Sequence, residues 1–145
     1  EVSQAWSLVL WLRTEKAGWY TICGVADANG VLEDGEVEIG LATAPWLDGA
    51  PFLHQENGPG ADAQVMAGRV VTPGEWTHVA VVYGGSMSGT LRFYVDGDLS
   101  YERLGVALNM ASLPLQCAGR VSASPPSGTA SDGYLDLDEI KWYNV

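Results

Sequence analysis

A chain of 145 residues is one domain's worth, long enough to bury roughly two thirds of its unfolded surface without staples. Its 47% hydrophobic content, 18 glycines and 7 prolines, with no apolar run near 18 residues, fit a globular β protein and exclude a membrane-spanning helix. Seven scattered basic residues against 18 acidic ones give a net charge of −11, which excludes a phosphate-backbone binder, and so nucleic acid, while leaving neutral or cationic partners and calcium.

From Ala5 to Thr14, Trp6, Leu8, Leu10 and Leu12 alternate with Ser7, Val9, Trp11 and Arg13, which predicts a strand with one wholly apolar face and one half-apolar face. Lys16-Ala17-Gly18 predicts a turn, and Trp19 to Gly24 the next strand. Asp27-Ala28-Asn29-Gly30 and Glu33-Asp34-Gly35 read as turns, because Asn-Gly and Asp-Gly steps tolerate positive φ. Between Glu36 and Thr43, Val37, Ile39 and Leu41 alternate with Glu38, Gly40 and Ala42, predicting one buried and one wet face. Residues 44–63 are the least regular, with a short strand near Pro51 to Glu56 and exposed loops around Trp46 and Asn57. Ala63 to Val71 predicts another strand or pair of strands, ended by Thr72-Pro73-Gly74.

The most informative stretch follows. Gly74 to Tyr83 and Thr90 to Asp98 read as two strands joined by a Gly/Ser loop, and the second turns back at Asp96-Gly97. Trp76, Ala80, Val82, Leu91, Phe93 and Val95 are expected in the core, with Arg92 and Tyr94 on the opposite face. Asp98 to Arg103 and Leu115 to Val121 predict further strands, 122–132 a Ser/Gly/Pro-rich surface loop, and Gly133 to Val145 a long closing strand. No helical period of three turns and no internal repeat is present. About ten short strands without a boundary predict a single all-β domain, residues 1–145, of sandwich or barrel type.

Three blocks carry a resemblance over nearly the whole chain. Ala5-Trp6-Ser7-Leu8-Val9-Leu10-Trp11-Leu12-Arg13-Thr14, the Trp76 to Gly97 hairpin with its Tyr94-Val95-Asp96-Gly97, and Leu137-Asp138-Glu139-Ile140-Lys141-Trp142-Tyr143-Asn144 resemble, in order and spacing, laminin-G-like and pentraxin-like domains of the concanavalin A-like lectin/glucanase superfamily. The resemblance implies an antiparallel jelly-roll β-sandwich of two sheets, one concave, with loops gathered at its rim. Such domains usually carry one or two strands ahead of the first block. Almost nothing precedes Ala5 here, so a sheet edge is expected to lie open, and the chain is expected to be a module of a larger protein.

Function is sought in residues that core packing leaves over. A sugar site needs a flat aromatic face and fixed polar groups for the hydroxyls. Trp46, His54 and Asn57 in the irregular segment, Trp19 and Tyr20 beside a turn, and Trp11 on the half-apolar strand face supply those types. A calcium ion, which the resemblance makes common, needs several loop oxygens. Asp27, Asn29, Asp132, Asp136 and Asp138 are the candidates. Cys23 and Cys117 either pair, closing a long loop, or are two buried thiols. The resemblance implies that glycoside cleavage would use two carboxylates on one strand face; Glu36 and Glu38 share a face but read as its ordinary wet side, and their order departs from the glucanase "ExDxxE" signature. His54 and His78 form no triad spacing, and no CxxC, HExxH or phosphate-cradling loop occurs. The expectation is a non-catalytic, extracellular, secreted or cell-surface module that binds a glycan or polysaccharide. A structural or adhesion domain contacting neighbouring domains is the alternative, and a glycoside hydrolase a more remote one.

Overall fold

Alternation along each strand is resolved into two layers in the computed structural model, which describes residues 4–16, 18, 20–25, 36–55, 63–108, 115–117 and 135–144. The strands are β1 (Trp6–Thr14), β2 (Tyr20–Val25), β3 (Val37–Leu41), β4 (Pro51–Gln55), β5 (Ala63–Met66), β6 (Thr77–Tyr83), β7 (Leu91–Val95), β8 (Asp98–Arg103), β9 (Leu115–Cys117) and β10 (Leu135–Asn144). A single helical turn, α1 (Gly85–Ser88), occupies the loop between β6 and β7. The first sheet has the order β10-β1-β6-β7-β8 and the second β5-β4-β3-β2-β9, with every pairing antiparallel. This is the expected jelly-roll sandwich.

The core lies between the sheets. Trp6, Leu8, Leu10 and Leu12 of β1, Val79, Val81 and Tyr83 of β6, and Leu91 and Phe93 of β7 meet Tyr20, Ile22, Ile39, Leu41, Leu53 and Val65 of the second sheet. Burial of each such side chain stabilises the fold by about 1.5–3 kcal/mol. Trp142 adds a stacked ring against Trp6, with centroids 4.6 Å apart.

One sequence expectation is corrected here. In β6 both alternating sets are apolar, so the strand alone does not declare its inner face. The register Leu8↔Val81 and Leu10↔Val79 turns Val79 and Val81 inward, and Trp76, expected in the core, is 43% exposed. A one-residue change of phase moves every side chain to the other face. β10 pairs with β1 from Trp6↔Asn144 to Thr14↔Leu135, so β1 is internal and the first sheet ends in β10 and β8.

The second sheet also departs from expectation. Glu36 and Glu38, read as wet, are 2% and 1% exposed. Thr21 Oγ1 donates to Glu38 Oε1, and Glu38 stands between Gly24 and His54 in the register. The outer face of this sheet is therefore buried at β3, which alternation along the strand does not declare. Phe52, opposite Gly40, is fully buried on that same face.

The cysteines pair. Cys23 and Cys117 are directly opposed in β2 and β9, with Cα atoms 4.0 Å apart, and their disulfide fastens the three-residue edge strand β9 to the sheet.

Candidate functional site

The outer face of the first sheet is open, and its chemistry follows from the phase of β1. With Leu8, Leu10 and Leu12 inward, Val9, Trp11 and Arg13 point outward, and Trp11 is 38% exposed. Antiparallel pairing puts His78 of β6 directly beside Trp11, where the two rings meet edge to face at 5.2 Å. Two residues further along β1, the Arg13 guanidinium lies 5.1 Å from the centroid of Trp76, held there by attraction to the ring face. Two exposed indoles thus occupy neighbouring positions, one steadied by an imidazole and the other by a guanidinium.

Carboxylates come from β10. Arg13 pairs with Asp136 and Trp11 with Asp138 across the β1–β10 ladder. Arg13 Nε and Nη2 both donate to Asp136 Oδ2, at 3.0 and 2.7 Å. Asp138 Oδ1 accepts the Glu139 N–H at 2.8 Å. Glu139 has φ of 49°, in the left-handed region, and the register shifts between Val9 and Trp11 because β10 carries one extra residue there. Bulges of this kind re-aim side chains and recur beside functional sites. This one lets Leu135, Leu137 and Trp142 all reach the core while Asp136 and Asp138 face outward beside Trp11. Next to the indoles, Arg13, Thr14, Glu15, Gly74 and Asp136 line an open cleft of about 350 Å³. Its wall is closed by Gly74 N–H donating to the Thr14 carbonyl at 2.7 Å.

The Arg13–Asp136 pair is about half exposed on both sides, at 44% and 51%. Exposed pairs contribute little to stability. Asp136→Asn is accordingly expected to change the unfolding free energy by less than about 1 kcal/mol, measured by urea titration.

The other sequence candidates do not join this face. Trp46 lies on the loop between β3 and β4, 37% exposed, its N–H bonded to the Thr43 carbonyl. His54 sits in β4 between Glu38 and Gln64 on the outer face of the second sheet, opposite in sense to Leu53, which enters the core. Trp11 and His54 therefore lie on opposite faces of the sandwich, and a single site holding both is ruled out by a core one sheet spacing thick. Tyr20 is buried, with its hydroxyl donating to the Lys16 carbonyl at 3.1 Å, which removes it from any ligand surface. Trp19, Asn57, Asp27, Asn29 and Asp132 lie outside the described residues.

Trp76, Arg13 and His78 are the members of the face that sequence reasoning did not select. Their signal was parity: Arg13 shares a face with Trp11, and Trp76 with the polar His78. As for calcium, the described residues contain no group of three or more acidic, His or Cys ligands. Asp136 is engaged by Arg13 through Oδ2, and Asp138 Oδ1 accepts a backbone N–H.

The laminin-G model of the concanavalin A-like lectin/glucanases superfamily matches residues 1–145. This chain belongs to that superfamily. Among solved structures, the laminin-G-like domain resembles the carbohydrate-binding module of the Ruminococcus gnavus IT-sialidase bound to α2,3-sialyllactose, with a TM-score of 0.67 and 13% identity over 98% of this chain and 75% of that one. It resembles the heptameric SAP-like pentraxin of Limulus polyphemus, with a TM-score of 0.61 and 13% identity over 98% of this chain and 66% of that one. It also resembles domains LG4-5 of the mouse laminin α1 chain, with a TM-score of 0.64 and 18% identity over 98% of this chain and 36% of that one. No curated protein sequence matches the chain. At such identities these likenesses speak for the laminin-G-like fold, and the chain spans from about a third to three quarters of their length.

Proposed function

We propose that this domain is a non-catalytic carbohydrate-recognition module that takes its glycan on the open face of the first sheet. The observation that carries this reading is the pair of exposed, side-braced indoles Trp11 and Trp76 beside a polar cleft. An indole offers the apolar side of a pyranose ring a flat surface, and the carboxylates of Asp136 and Asp138 offer acceptors to its hydroxyls. Membership of a lectin and glucanase superfamily, and the likeness to a carbohydrate-binding module, support recognition of sugar. The Cys23–Cys117 disulfide supports an oxidising, extracellular setting. Among the described residues no helix is long and apolar enough to cross a membrane.

Affinity electrophoresis in gels cast with a panel of polysaccharides is the test. At least one should retard the wild type without releasing reducing ends, and Trp11→Ala should weaken that retention about tenfold, the equivalent of roughly 1.4 kcal/mol of lost stacking. Both indoles are exposed, so circular dichroism should show the variants folded. Retention unchanged in both Trp11→Ala and Trp76→Ala would remove this face from the reading.

A further inference from the structure

Charge on the open face is arranged as distinctively as its aromatics. Outward positions of the first sheet carry three basic side chains, and each is already engaged by a carboxylate. Arg13 is forked onto Asp136, Arg92 Nε pairs with Glu102, and Lys141 Nζ lies 3.3 Å from Glu139. A carboxylate, sulfate or phosphate on a ligand is recognised by cations whose charge and donors remain to be used, above all by guanidinium forks. Here an anionic sugar would have to share each cation with a protein carboxylate and sit beside that carboxylate's charge.

Acidic groups, by contrast, are in surplus. Beyond the Asp136 that Arg13 already holds, Glu15 lines the cleft and Asp138 flanks Trp11, so the indoles sit in a locally negative frame. The whole chain, at −11, adds a long-range field that repels polyanions. Carboxylates are acceptors only, and their natural partners on a sugar are neutral hydroxyl donors. A cationic sugar is disfavoured for a different reason: the cation position over Trp76 is held by Arg13 itself.

We infer that the open face selects an uncharged glycan, one bearing no carboxylate, sulfate or phosphate on the residues it contacts. This rests on the glycan-binding reading above and adds to it the chemical class of the ligand. Ion pairing then has a role beyond stability: Asp136 masks Arg13 against acidic ligands and keeps it against Trp76.

The test compares gels cast with neutral polysaccharides (galactomannan, mixed-linkage β-glucan, pullulan) and anionic ones (hyaluronan, chondroitin sulfate, alginate), at low and high salt. The wild type should be retarded at least about tenfold more strongly by one of the neutral polymers than by any anionic one, with little change on adding salt. Asp136→Asn, which unmasks Arg13, should gain salt-sensitive retardation in chondroitin sulfate. Equal or stronger retention on an anionic polymer overturns the inference and leaves glycan binding standing. Retention by none of the six removes glycan binding, and the inference with it. Neutral retention that survives both Trp11→Ala and Trp76→Ala overturns the assignment to this face, and an Asp136→Asn protein that still ignores chondroitin sulfate overturns the masking role.

Discussion

A Cys23→Ser/Cys117→Ser protein should unfold roughly 10–15 °C below the wild type, with a loss of about 4 to 5 kcal/mol. The two cysteines are 94 residues apart in sequence, so their bond removes a large share of the unfolded chain's freedom while its ends are already opposed in the folded sheet. A second contribution has the same sign. β9 is three residues long and joins the sheet on one side only, through three register pairs with β2. Without the bond that edge strand is held by backbone pairing alone, and amides of residues 115–117 should lose hydrogen-exchange protection before those of β3. Differential scanning calorimetry of the variant and of the reduced wild type checks the first effect. A drop of less than about 3 °C in both would show that chain entropy is not what the bridge supplies.

Gly40→Ala is the second large effect expected, at about 3 kcal/mol of destabilisation. A Cβ on Gly40 would lie 2.2 Å from the Tyr20 carbonyl oxygen and 2.7 Å from the Phe52 ring. The reason lies in the pairing of β2 with β3, which shifts between Thr21 and Cys23 and crowds the β2 backbone against β3. A glycine inside a strand often marks such a close approach. Chemical denaturation of Gly40→Ala, and of Gly40→Ala combined with Phe52→Leu, separates the two clashes. The double variant should recover little, because the shorter contact is with backbone; full recovery would place the strain in the ring instead.

Much of the fold was legible because hydrophobic alternation and turn chemistry act locally. Leu8, Leu10 and Leu12 declare their face without help, and Asp96-Gly97, both at positive φ, close the β7–β8 hairpin as that pair of residues predicts. What escaped was whatever needed a second strand to decide. In β6, Val79 and Val81 compete with Ala80 and Val82 for the inner face on nearly equal terms, and only register with β1 breaks the tie, which is why Trp76 was expected inside. Glu36 and Glu38 alternate with apolar residues as wet positions do, yet both are buried. The candidate face was half legible for the same reason. Trp11 could be singled out from its own strand, whereas the partnership of Arg13 with both Trp76 and Asp136 exists only once three strands are side by side.

The extra residue in β10 makes the closing strand a vernier between two scales that would otherwise stay locked together. Below Glu139 the strand counts in step with the aspartates of the open face, and above it in step with Trp142 and the core. Deleting that single residue would leave composition, charge pattern and length almost untouched. It would nonetheless force a choice between keeping Trp142 against Trp6 and keeping Asp136 and Asp138 beside the indoles. Outward face and interior are thus set independently by the same ten residues, so either can be altered by substitution without re-phasing the other.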